Sequence, residues 1–237
     1  MVNKMNRAKK KKAVVLLSGG MDSSVVAAMA KDQGFDVHAI TFDYGQRHNV
    51  EVEAAKATVA TLGIENHRIV NLDIGSFGGS SLTTDAKILK NRTSKIEEIP
   101  STYVPARNTV FLSIALSYAE ATDARDIFIG VSFVDYSGYP DCRPTFIEAF
   151  EKVANLGTRA VDGGEQFTIH APLLKLSKKE TVEEGIRLGV DFALTRSCYD
   201  PGSNGEPCGA CDSCLLRNKG FDAAGIQDPV FVTFAKK

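Results

Sequence analysis

Ser18-Gly19-Gly20-Met21-Asp22-Ser23 places two glycines, three hydroxyl or carboxylate side chains and a helix start within six residues. Glycine lacks a Cβ, so the backbone N–H groups of such a turn can approach a ligand closely. A helix N-terminus adds unpaired donors and partial positive charge, and Ser18 and Ser23 add hydroxyls, so the segment suits a phosphate or pyrophosphate. A second set is Cys198-x9-Cys208-x2-Cys211-x2-Cys214. Four thiolates meet the tetrahedral requirement of structural Zn²⁺, and the two short spacings allow chelation from one compact turn. An iron–sulfur cluster is the competing occupant. Full tetrahedral coordination leaves no open position, so a structural role is expected.

Three further segments concentrate charged and amide residues beside turn formers: Phe42 to His48, Val104 to Thr109, and Tyr136 to Pro144. Recognition residues collect in such loops. Within them Arg107, Asn108, Asp141 and Arg143 are candidates, together with His48. Among the other histidines, His38, His67 and His170 alternate within strand patterns and read as structural.

The elements that position these groups follow from periodicity. Ala13 to Leu17 is a continuous apolar run, the pattern of a parallel strand buried on both faces. Ser23 to Ala30 reads as a helix ending near Gly34. Strands are predicted at Asp36–Phe42, His67–Leu72, Ile127–Val131 and Phe167–Ile169. Helices are predicted through Val52–Leu62, Val110–Ala121 and Phe146–Leu156, and from Ser177, where Glu180 completes a capping box. This order implies an α/β fold with a doubly wound parallel sheet, whose ligands bind outside the carboxyl ends of the strands. Residues 75–102 are polar and rich in Gly, Ser and Thr, and are expected to form a lid or a disordered segment.

Composition narrows the function classes. The chain has 237 residues, 43% hydrophobic, enough for a full core. Its net charge of −1 gives no global reason to expect nucleic acid. Residues 1–12 hold six basic side chains (Lys4, Arg7 and Lys9 to Lys12) and no acidic one, and are expected to be a disordered basic arm. Residues 13–190 would form the nucleotide-binding α/β domain, and 191–237 a small zinc-binding C-terminal region. No stretch approaches the roughly 18 apolar residues of a membrane span. Five cysteines in such a chain argue against a disulfide scaffold. A cytoplasmic protein is expected. There is no Gly-x-Gly and no Gly-x-x-x-x-Gly-Lys, which removes the Rossmann and P-loop fingerprints.

Ser-Gly-Gly-x-Asp-Ser resembles the PP-loop of the ATP pyrophosphatase superfamily, whose members generally cleave ATP between its α- and β-phosphates and adenylate a substrate oxygen. With the cysteine tetrad and the three loop segments in this order, residues 13–225 resemble the 7-cyano-7-deazaguanine synthases of queuosine biosynthesis. The arm has no counterpart in that pattern, the x9 loop is one residue longer than usual, and Ala106 stands where Gly is common. The resemblance implies conversion of 7-carboxy-7-deazaguanine, ammonia and ATP into a nitrile, with a homodimer as the assembly. It implies ATP along Leu17, Ser18, Gly19, Gly20, Met21, Asp22, Ser23, Ser24, Val25, Val26 and Ala27, with Mg²⁺ at Asp22. Lys178 resembles a family lysine at a helix start that neutralises phosphate charge. Asp22, Lys178 and Arg143 are the expected catalytic residues, and Arg107, Asn108, Asp141 and Arg143 the expected contacts to the deazaguanine acid. Zn²⁺ would sit on Cys198, Cys208, Cys211 and Cys214. No Gly-x-Cys-x-Gly elbow is present, so free ammonia is the expected nitrogen donor. The alternative is a PP-loop transferase that thiolates uridine or cytidine in tRNA, against which stands the lack of a Cys-x-x-Cys near the phosphate turn.

Overall fold

A computed structural model describes residues 10–47, 50–91, 99–132 and 138–235. Strand β1 (Lys12–Leu16) is the middle of a five-stranded parallel sheet ordered β3-β2-β1-β4-β5, with β2 Asp36–Asp43, β3 Asn66–Asn71, β4 Asp126–Phe128 and β5 Thr168–His170. Because side chains alternate along a strand, β1 feeds two cores. Val14 and Leu16 pack with Leu112, Ala115 and Ile127 on one face. Ala13 and Val15 pack with Val25, Val26 and Val182 on the other.

Helices cover both faces, as a parallel sheet requires. They are α1 (Met21–Asp32), α2 (Val50–Leu62), α3 (Arg107–Thr122), α4 (Pro144–Ala154), the single turn α5 (Arg159–Asp162), α6 (Lys178–Arg187), α7 (Asp212–Ala223) and α8 (Pro229–Ala235). The doubly wound expectation is met. Strand order reverses at the β1–β4 pair, so the crevice of the fold opens beyond the carboxyl ends of these two strands.

Several boundaries follow the sequence reading. Gly34 and Gly63 adopt positive φ just beyond α1 and α2, and α6 carries the full capping box between Ser177 and Glu180. Others differ. Helix α3 begins three residues before the predicted start, because Asp141, distant in sequence, caps its first turn: Asp141 Oδ2 accepts from the Asn108 N–H at 3.0 Å. Strand β4 ends at Phe128 rather than Val131, although Ile129 N–H still donates to the His170 carbonyl. The chain then turns at Gly130, where a Cβ would lie 3.1 Å from the Ser23 backbone.

The segment expected as a lid or disordered loop is, where described, tied down. Leu82 and Ile88 are buried in the core, Ser81 N–H donates to the Ser101 carbonyl, and Lys90 bridges to Cys211. Residues 92–98 lie outside the described part. The three strand histidines are held structurally: His170 Nε2 lies 2.7 Å from Asp126, His67 Nε2 2.8 Å from Thr41, and His38 is buried. His48 and the basic arm through residue 9 lie outside the described residues. No helix among the described residues is long and apolar enough to cross a membrane.

Candidate functional site

The turn between β1 and α1 is built from its own hydroxyls. Ser18 N–H donates to Ser23 Oγ at 3.1 Å, Gly20 N–H donates to Ser18 Oγ at 3.2 Å, and Ser24 Oγ donates to the Gly20 carbonyl at 2.8 Å. Gly19 has φ +86°, and a Cβ there would lie 2.2 Å from the Glu51 carbonyl oxygen. No other residue lets α2 descend so closely onto the turn. Leu17, Ser18, Gly20, Met21, Asp22 and Ser23 line a cavity of about 240 Å³ at the β1–β4 crevice. Ser24, Val25, Val26 and Ala27, expected at the nucleotide, do not. They are fully buried on the inner side of α1 and belong to the core.

Lys178, at the first position of α6, reaches the same turn. Its Nζ donates to Asp22 Oδ2 at 2.6 Å, with the lysine side chain only 10% exposed. Two residues separated by 156 positions thus present a paired cation and anion on one cavity wall. Lys178 is therefore not a solvated surface side chain.

The opposite wall is aromatic and cationic. Phe42 stacks on Phe111 with ring centroids 4.1 Å apart. Arg107 lies 5.9 Å from the Tyr44 and Phe111 ring centroids, and its Nη1 donates to the Tyr44 hydroxyl at 3.4 Å. Burial raises the Tyr44 pKa, with the Arg107 charge opposing, so the phenol stays protonated. Glu51, on the first turn of α2, also faces the cavity. Burial pushes its carboxyl up to about 7, against the pull of Arg107. Glu51 was passed over in the sequence, where Glu51 and Glu53 look like ordinary acidic residues at a helix start.

Asn108 joins the cavity wall, but Asp141 and Arg143 are not among its described lining residues. The Asp141 carboxylate caps α3, and its backbone carbonyl accepts from Asn108 Nδ2 at 3.1 Å. Arg143 is exposed at the start of α4. Asp141 thus holds Asn108 at the start of α3, and neither Asp141 nor Arg143, both expected at the substrate, is among the described lining residues. Tyr139 and Cys142 of that segment do line the cavity, with Cys142 Sγ 3.3 Å from Asn108 Nδ2.

Near the C-terminus, the sulfur atoms of Cys198, Cys208, Cys211 and Cys214 all lie within 4.8 Å of one another. Around a single ion with metal–sulfur bonds of about 2.3 Å, tetrahedral thiolates are comparably close. An iron–sulfur cluster would hold them farther apart. The loop also turns its N–H groups onto the sulfurs: Cys208 N–H donates to Cys198 Sγ at 3.2 Å, and Cys211 N–H to Cys208 Sγ at 3.4 Å. The set can hold one metal ion.

This metal-binding knot is not remote from the phosphate turn. Arg196 N–H donates to the Gly19 carbonyl at 2.8 Å, and Met21 N–H donates to Ser197 Oγ at 3.1 Å, immediately before Cys198. Arg217, one turn beyond Cys214 in α7, donates to Thr195 Oγ1 and forms a buried bidentate pair with Asp228 at 2.6 and 2.9 Å.

The fold is a parallel α/β sheet with a Ser-Gly-Gly-x-Asp-Ser turn at its β1–β4 crevice. The fold is similar to the structure of NMN synthetase from Francisella tularensis, with a TM-score of 0.51 and 17% identity, covering 95% of this chain and 83% of that one. The chain also matches the family described as Queuosine biosynthesis protein QueC over residues 12–225. Curated relatives named 7-cyano-7-deazaguanine synthase include one from Desulfatibacillum aliphaticivorans, 57% identical over 95% of this chain and 98% of its own length. Another, from Legionella pneumophila, is 57% identical over 92% of this chain and 96% of that protein. The chain belongs to the QueC family of queuosine biosynthesis proteins.

Proposed function

We propose that this protein is an ATP-dependent carbon–nitrogen ligase that converts 7-carboxy-7-deazaguanine and ammonia into 7-cyano-7-deazaguanine. The observation that carries the reading is one cavity joining the phosphate turn with its Lys178–Asp22 pair to a wall built on Arg107. A carboxylate is a poor electrophile, so one of its oxygens must first become a leaving group. In the proposed sequence a carboxylate oxygen attacks the α-phosphorus of ATP and pyrophosphate departs. Ammonia then attacks the acyl carbon, AMP leaves and an amide remains. The amide oxygen then attacks the α-phosphorus of a second ATP, pyrophosphate departs again, and AMP carries that oxygen away as the nitrogen loses its two protons, giving the nitrile.

The protein's part is positioning and charge stabilisation. Ser18, Gly20, Met21, Asp22 and Ser23 face the phosphates, and Lys178 neutralises charge accumulating on the departing pyrophosphate. Asp22 is the hard oxygen donor suited to Mg²⁺ at that wall; the ion would supply charge neutralisation of the phosphates. Arg107, half-buried beside Tyr44 and Phe111, pairs with the substrate carboxylate, a role that a guanidinium fills bidentately. The aromatic wall accommodates the flat deazaguanine ring. The four cysteines hold Zn²⁺ as a closed structural site. Mass spectrometry of products from ATP, ammonium and the deazaguanine acid tests the reading. The nitrile with AMP is expected; no nitrile there, with thiolated tRNA from a parallel incubation of ATP, tRNA and a sulfur donor, would install the transferase alternative in its place.

A further inference from the structure

Helix α1 starts at the phosphate turn with Gly20 as its N-cap, a residue with no side chain to satisfy the first N–H groups. Ser197 stands in for it from 176 positions away, its Oγ accepting from Met21 N–H at 3.1 Å. The same oxygen accepts from Arg217 Nη1 at 3.4 Å. A serine hydroxyl has two acceptor sites and one donor proton. Both acceptor sites are used, so the proton must point elsewhere. No acceptor for it is found among the described residues. Ser197 lines the cavity, and its oxygen lies 3.6 Å from where a Gly20 Cβ would be, directly over the turn.

We infer that Ser197 is an additional phosphate-binding residue, its hydroxyl donating to a phosphate oxygen of the bound nucleotide. Phosphate oxygens only accept at neutral pH, which matches a hydroxyl whose lone pairs are already committed. The donor is also pre-aimed. Arg217 fixes it from one side and is itself locked by Asp228, while Cys198, the next residue, is fastened in the cysteine knot. Ser197 therefore couples the C-terminal region to the nucleotide site through a single hydroxyl.

This inference rests on the ATP-binding part of the proposed function and can fail separately from it. The test is equilibrium binding of inorganic pyrophosphate, α,β-methylene ATP and adenosine to the full-length, zinc-loaded protein, with thermal midpoint and zinc content measured alongside. Ser197→Ala should weaken pyrophosphate and the ATP analogue about tenfold, the scale of one hydrogen bond to a charged group, and leave adenosine within about twofold. Ser197→Cys, which preserves shape but donates poorly, should behave like Ala, and Ser197→Thr should restore binding. Unchanged pyrophosphate affinity in both the Ala and Cys variants, or an equal loss for adenosine, overturns the assignment. Wild-type protein that binds neither pyrophosphate nor the analogue overturns the ATP reading as well.

Discussion

Arg107 opens α3 and Arg143 stands two residues beyond the carboxylate that caps it, yet Arg107 is half-buried on the cavity wall and Arg143 is exposed. A charge-assisted pair removed from a buried wall is worth roughly 2–5 kcal/mol. Arg107→Ala should therefore raise KM for the deazaguanine acid at least tenfold with little effect on KM for ATP, whereas Arg143→Ala should change neither by more than about twofold. Steady-state kinetics with each substrate varied in turn distinguishes the two arginines. Asp22→Asn should keep the fold and lower kcat by at least about two orders of magnitude, the scale of lost electrostatic stabilisation at a reacting group; single-turnover rates would show it. Glu51 gives a pH signature. Its folded pKa near 7 stands above the ordinary 4.5, so the folded state holds the proton more tightly than the unfolded chain. The resulting stabilisation is complete below about pH 4.5 and lost as pH rises through 7. Glu51→Gln should thus be more stable than wild type above pH 7, by on the order of 1–3 kcal/mol, and the difference should vanish in acid. Urea midpoints across that range measure it. Of these residues, the glycine turn and the cysteines were legible in the sequence because their spacing is itself the signal, and Lys178 only through the family resemblance. Glu51 and Ser197 were not, since each acquires its role from an element far away in the chain.

At the scale of elements, buried strands declared themselves as apolar runs and α6 by its capping box. Helix α3 was misplaced because its first turn is satisfied by Asp141, a cap no local pattern announces. The same helix start holds a strained residue. Ala106 sits at φ 54°, the left-handed region, at the position where the family pattern favours glycine. A Cβ in this conformation costs about 1–2 kcal/mol. Ala106→Gly should relieve it, offset in part by greater freedom of the unfolded chain, and raise the thermal midpoint by roughly 2–4 °C for each kcal/mol gained. An unchanged or lower midpoint by calorimetry would show that the surrounding turn absorbs the strain.

For the whole molecule, the cysteine knot and the phosphate turn form one structure. Cys211→Ser should abolish stoichiometric zinc, read by metal analysis, and because metal binding and folding are coupled it should also lower solubility and thermal stability. The basic arm has no counterpart in the proposed chemistry. Deleting residues 2–11 should leave nitrile formation within about twofold, with no salt-sensitive tRNA complex lost in a filter-binding assay. The hydrogen bonds that join Gly19 and Met21 to Arg196 and Ser197, and Arg217 to Asp228, also set a sequence in time. A ribosome releases the glycine turn early, and Ser197, which clamps it, follows Met21 by 176 residues. A chain truncated before Asp228 should therefore hold the turn loosely and, on the proposed function, bind nucleotide more weakly than the full chain, which titration with an ATP analogue would read. On the proposed function, competence for nucleotide would arrive together with α7 and α8.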